Sequence, residues 1–193
     1  MFETLSRFSE MQTDIETKTD LRLVLSDPNN GERDFTNEIS FVVTGMMRVV
    51  IGMPFRVPIS LLREDEREEF GNLEDMFVLP WTVTAMDQKG KSSLGDVRVT
   101  NFEGRPTFGT VIPKTSEDIF PAILSAEVCA QVDLPDFGSL HTITPVPIKA
   151  EINAIPPFGV EAKHANRGTL VDENLQPKGM IVGNSITLIG PSK

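Results

Sequence analysis

From Ile39 to Leu61 every odd-numbered residue is apolar or glycine: Ile39, Phe41, Val43, Gly45, Met47, Val49, Ile51, Met53, Phe55, Val57, Ile59 and Leu61. A period of two belongs to a strand with one face turned to a core, because successive side chains leave a strand on opposite sides. The even positions include Ser40, Thr44, Arg48, Arg56 and Ser60, which suits a second face partly in water. The run predicts a strand from Glu38 to Ile51 and another from Phe55 to Leu62, with Gly52-Met53-Pro54 bending the chain between them.

The same rhythm returns along the chain. Phe77, Leu79, Trp81, Val83 and Ala85 predict a strand that ends at the polar group Asp87-Gln88-Lys89-Gly90, where glycine suits a turn. Between Leu124 and Leu134 the even positions are apolar, and the odd ones read Ser125, Glu127, Cys129, Gln131 and Asp133. Val146 to Ala154 alternates likewise, and Gly179 to Ile189 reads as a terminal strand. Shorter candidates are Leu21–Leu25, Asp96–Thr100, Thr107–Ile112 and Val160–His164. With turn clusters such as Glu103-Gly104-Arg105-Pro106 and Asp136-Phe137-Gly138 between them, these segments predict a mainly β chain. The expected fold is an antiparallel β-barrel or β-sandwich of about 8–10 strands. No alternation of β and α segments points to a doubly wound nucleotide fold.

Two segments carry helical spacing. Phe2, Leu5, Phe8, Met11 and Ile15 recur at three and four residues, predicting a short N-terminal helix, a helical arm or lid over residues 1–18 against a single β-rich domain over 19–193. Arg63 to Glu69 is a second candidate for a helical turn.

Charge and residue counts exclude several chemistries. The formal net charge of −10 and a pI near 4.7 leave little basic surface for phosphates, so nucleic acid is not an expected partner. One cysteine and two histidines are too few for a Cys/His zinc site, and no metal or other cofactor is expected. The start of the chain lacks a basic segment followed by an apolar one, and no stretch approaches about 20 consecutive apolar residues. The expected location is cytoplasmic, without membrane insertion.

The chemistry-bearing motifs are incomplete. Gly90-Lys91-Ser92 ends like a phosphate loop, but the position of the leading glycine is Ala85. Asp27, Asn29, Gly31 and Glu38 place the glycine of a calcium loop one residue early. The acidic run from Glu64 to Asp75 is interrupted by Arg67 and reads as a solvated face. Cys129 has no base near it in sequence, and His141 follows a turn and reads as exposed.

What remains points inward. Twelve phenylalanines, eight methionines and a single tryptophan, with no tyrosine, supply bulk that needs few hydrogen bonds. A barrel of about eight strands has room for one small ligand. The leading expectation is a protein that binds a small, mainly apolar molecule; if it is enzymatic, the expected reaction is cofactor-independent isomerisation or cyclisation. Trp81, Phe55 and Phe77 are candidate apolar walls, Arg48 and Arg56 candidate partners for an anionic group, and His164 the candidate proton donor or acceptor. The Ile155-Pro156-Pro157-Phe158-Gly159 segment is a candidate rim. The rival reading is a structural protein forming homo-oligomers through exposed strands, with Val42, Met46 and Val50 as a contact patch.

Overall fold

A computed structural model describes residues 2–26, 35–61, 67, 70, 74–103, 105–115, 117–164 and 167–191. A five-residue helix, α1 (Phe2–Ser6), precedes thirteen strands: β1 (Gln12–Ser26), β2 (Phe35–Ile51), β3 (Phe55–Pro58), β4 (Asp75–Ser92), β5 (Gly95–Asn101), β6 (Thr107–Pro113) and β7 (Ala122–Val128), followed by β8 (Ala130–Leu134), β9 (Gly138–Thr142), β10 (Val146–Ile152), β11 (Glu161–His164), β12 (Gly168–Val171) and β13 (Pro177–Pro191). All pairings are antiparallel. The strands close on themselves, because β1 pairs with β2 along one edge and with β13 along the other. The molecule is therefore a barrel rather than a sandwich, and closure removes the free edges that a sandwich must protect.

Twelve of the thirteen strands make an eight-staved meander, and β3 pairs with β4 off this path. Strands β5 and β6 both run beside β4, β7 and β8 beside them, then β9 with β10, then β11 with β12, and β13 completes the ring. Each of these four pairs is one stave with a break in its middle. At Cys129, between β7 and β8, the backbone N–H donates to Thr107 Oγ1 at 3.1 Å, and the next N–H, of Ala130, donates to Thr142 Oγ1 at 3.3 Å. Side-chain oxygens thus take over where the ladder lapses, since a buried N–H without an acceptor is costly. The 8–10 expected strands match the stave count; β9 and β12 were absent from the sequence expectation because each is short and adjoins a turn.

Alternation sorts the side chains. Along β2 the odd residues Ile39, Phe41, Val43, Met47, Val49 and Ile51 are buried, as their period requires. Along β1 the inward set is Ile15, Thr17, Thr19, Leu21, Leu23 and Leu25. The two threonines mask the alternation in sequence, and this corrects the helical arm: α1 stops at Ser6, and residues 12–18 belong to β1. Leu5, wholly buried, ties α1 to the core, and the Glu10 N–H donates to the Ile51 carbonyl at 2.8 Å.

Three further expectations change. β4 runs through Asp87-Gln88-Lys89-Gly90 to Ser92, because a register shift opposite Arg48/Val49 turns the inward parity from odd to even. Inward residues there are Leu79, Trp81 and Val83, then Met86 and Gln88, while Ala85 is exposed. Cys129 is buried rather than on a wet face, and burial pushes its thiol pKa up, which disfavours the thiolate. His141 is half-buried and stacks on Phe102 with 4.2 Å between ring centres. The terminal strands β1 and β13 pair with each other.

A smaller apolar cluster, Phe70, Met76, Val78, Ile112 and Ile123, lies apart from the main core. Val78 and Ile112 adjoin the cavity-lining Leu79 and Val111, so they leave their strands on the opposite face, outside the barrel. The incomplete calcium-loop motif from Asp27 to Gly31, most of the acidic run, and the Arg63–Glu69 turn apart from Arg67 lie outside the described residues.

Candidate functional site

The two halves of the barrel are packed differently. The half where β1 ends and β13 begins is filled by Leu23, Leu25, Val43, Val132, Leu140 and Leu170, each wholly buried. In the other half, where β1 begins and β13 ends, the inward side chains leave a cavity. Ile15, Met47, Val49, Leu79, Trp81 and Val83 line it from β1, β2 and β4, and Val111, Leu124, Ile148 and Ile152 from β6, β7 and β10. Ile155-Pro156-Pro157 and Val160, on the β10–β11 connection, line it as well, so three residues of the segment singled out as a rim reach the cavity. The space open to the centre of a water-sized sphere is about 80 Å³, where one water needs about 10–15 Å³ on that measure.

Its lining is almost wholly apolar. Thr13, Thr107 and the Trp81 indole contribute the polar atoms, and among the described residues none of the lining is ionisable. Trp81 pairs across the ladder with Gly109 on β6. A Cβ on Gly109 would collide with the indole ring and would stand 2.5 Å from the Ser125 carbonyl, so the ring lies over bare backbone that only glycine leaves open. The Trp81 Nε1 is buried without a hydrogen-bond partner among the described residues.

Beneath this cavity is a polar layer centred on Gln88, a residue expected from sequence in a turn. Gln88, 1% exposed, donates from Nε2 to Thr17 Oγ1 at 2.7 Å and to Thr19 Oγ1 at 2.9 Å. The Thr17 hydroxyl donates in turn to the Gly45 carbonyl at 3.3 Å. Gln88, Thr19, Thr142 and Asn184 border a second, smaller cavity of about 20 Å³, whose wall includes Met86, Val128 and Ile186. The parity flip in β4 is the signal for Gln88: once Met86 is inward, Gln88 follows two residues later.

Of the residues chosen from sequence whose side chains are described, the structure brings only Trp81 to the cavity. Arg48 lies on the outer face in a two-pronged pair with Asp14, at 2.7 and 2.9 Å. Arg56 pairs with Asp75 at 2.7 Å and sits 5.8 Å from the Phe77 ring centre. That cluster belongs to the β3–β4 pairing, where Phe55 is 46% exposed. His164 ends β11 with its backbone opposite Ile148, and its side chain lies outside the described residues. Among the described residues no cluster of three or more His, Cys, Asp or Glu could hold a metal ion, and no helix is long and apolar enough to cross a membrane.

The fold is shared with DynF of the dynemicin biosynthesis pathway of Micromonospora chersina, with a TM-score of 0.68 and 18% sequence identity over 96% of this chain and 82% of that one. No protein-family model matches the chain, and no curated protein matches it. At this identity the likeness to DynF is one of fold: a mostly antiparallel β chain with a short N-terminal helix, closed into a barrel.

Proposed function

We propose that the protein holds a small, uncharged, mainly apolar molecule inside the barrel. The observation that carries this reading is the cavity itself: about 80 Å³, lined by aliphatic side chains and one indole, with no ionisable residue in its lining among the described residues. Such a space favours transfer of apolar surface out of water, worth about 25 cal/mol per Å², and offers an ionic group nothing to offset its desolvation. The fold partner's place in a biosynthetic pathway fits a role in handling an intermediate of low polarity. Should the ligand be converted there, isomerisation or cyclisation by confinement is the chemistry such a lining suits. His164, two residues beyond the cavity-lining Ala162, is then the proton donor or acceptor that this chemistry would use.

Trp81 makes the reading testable, because it is the only tryptophan, tyrosine is absent, and it stands in the cavity wall. Titration with the uncharged N-phenyl-1-naphthylamine is expected to quench Trp81 fluorescence and to saturate at one molecule per chain. Ala150→Phe, which places a ring in the cavity from β10, is expected to weaken that binding at least tenfold while leaving the circular dichroism spectrum unchanged. Native mass spectrometry of protein from its own source is expected to show a retained neutral mass. Absence of both quenching and retained mass would refute the reading.

A further inference from the structure

We infer that the ligand is elongated and ends in a hydroxyl group, which is received at Asn184 in the small cavity below the main one. The inference rests on the ligand-holding reading above and adds the chemistry of the ligand's far end.

Three observations converge. The two cavities are stacked rather than separate, since Met86, Val128 and Ile186 stand in the walls of both. Of these, Met86 is unbranched and re-packs readily, so it can yield to a chain passing from one space to the other. The upper space is almost wholly apolar, whereas the lower gathers Thr19, Gln88, Thr142 and Asn184. Finally, the polar groups of the lower space are not equally satisfied. Thr19 and Gln88 bond each other in both directions, and Thr142 Oγ1 accepts from the Ala130 N–H. Asn184 Oδ1 is buried without a partner among the described residues.

A buried carbonyl oxygen left unpaired is costly, and the stable remedy is a donor brought to it. The lower space, about 20 Å³, has room for one small polar group. A hydroxyl both donates and accepts, so it serves either end of the Asn184 amide. Leu188, in the wall of the upper cavity, and Asn184 are four residues apart on β13, a span of roughly 13 Å along the strand that an extended chain of about ten carbons would cover.

The test is a titration of Trp81 fluorescence with primary n-alkanols of six to sixteen carbons, each beside an ether of matched length that lacks the donor. Affinity is expected to peak near ten carbons, to favour the alkanol over its ether about three- to tenfold, and to lose that preference in Asn184→Leu. Against a poorly folding variant, the unsubstituted protein provides a second reading: nuclear Overhauser contacts between the alkanol hydroxymethylene protons and the Asn184 side-chain amide. Equal binding of alkanols and ethers, with the hydroxyl found at the rim or a water fixed at Asn184, would overturn the inference and leave the apolar-ligand reading standing. Failure of alkanols and ethers alike to bind would overturn both.

Discussion

Trp81 lies against Gly109, and the pair is set by register: the two residues face each other across β4 and β6. A methyl group on Gly109 has no free volume to enter, because the indole lies on one side and the Ser125 carbonyl on another. Gly109→Ala is therefore expected to cost about 1–3 kcal/mol through overpacking and to shift Trp81 emission, both read from urea unfolding followed by fluorescence. An unchanged midpoint and spectrum would mean that the ring is not held by this contact. Trp81 was legible in the sequence as a wall residue because its parity matched Leu79 and Val83. Gly109 was not, since a glycine in a short strand declares its purpose only when its cross-strand neighbour is known. Asn184 was hidden for a related reason: register shifts along β13 decide which of its polar residues face inward.

At the scale of elements, the alternation from Ile39 to Ile51 was read correctly, but its continuation was not: the strand expected from Phe55 to Leu62 stops at Pro58, a 3-10 turn follows over Ile59–Leu61, and Phe55 and Leu61 are exposed. β2 and the inward faces of β7, β8 and β10 follow the parity of their sequences, because nothing in those runs shifts the phase. β1 and the second half of β4 were misjudged where inward positions are Thr17, Thr19 and Gln88, polar residues whose burial depends on one another across two strands. Neighbouring staves are also tied on the outside. Asp14 of β1 lies opposite Arg48 of β2, and Asp87 of β4 meets Arg98 of β5 at 2.8 Å. Hydrogen bonds from the facing arginine hold both carboxyls below their ordinary pKa. A depressed folded-state pKa gives a stabilising contribution that is complete above the unfolded value of about 3.9 and is lost as pH falls through the folded one. Urea midpoints are thus expected to be flat in this respect from pH 7 to about 5 and to drop below about pH 4. Asp14→Asn combined with Asp87→Asn is expected to make that drop shallower; an identical acid profile would show that the pairs contribute nothing.

For the whole molecule the decisive contact is the one between the first and last strands. Thr187 pairs with Lys18 of β1 and with Glu161 of β11, so its backbone is inside the wall. Thr187→Pro removes a donor from a central strand and is expected to destabilise the barrel by about 3 kcal/mol or more. Opening there also exposes the edge of β1, so concentration-dependent association is expected in light scattering; a stable monomer with native melting behaviour would show that closure is dispensable. Closure was not legible in the sequence. Alternation tells which face of a strand is dry, and a barrel and a sandwich ask the same of every strand; only the pairing of β1 with β13 distinguishes them.

The uneven filling of the barrel has a mechanical consequence. Hydrostatic pressure favours whatever state eliminates void volume, and in this molecule the larger void lies on one side of the Gln88 layer while the other side is close-packed leucine and valine. Compression therefore acts on the hollow end first, by shrinking or wetting it, with the four broken staves marking where a yielding half adjoins a rigid one.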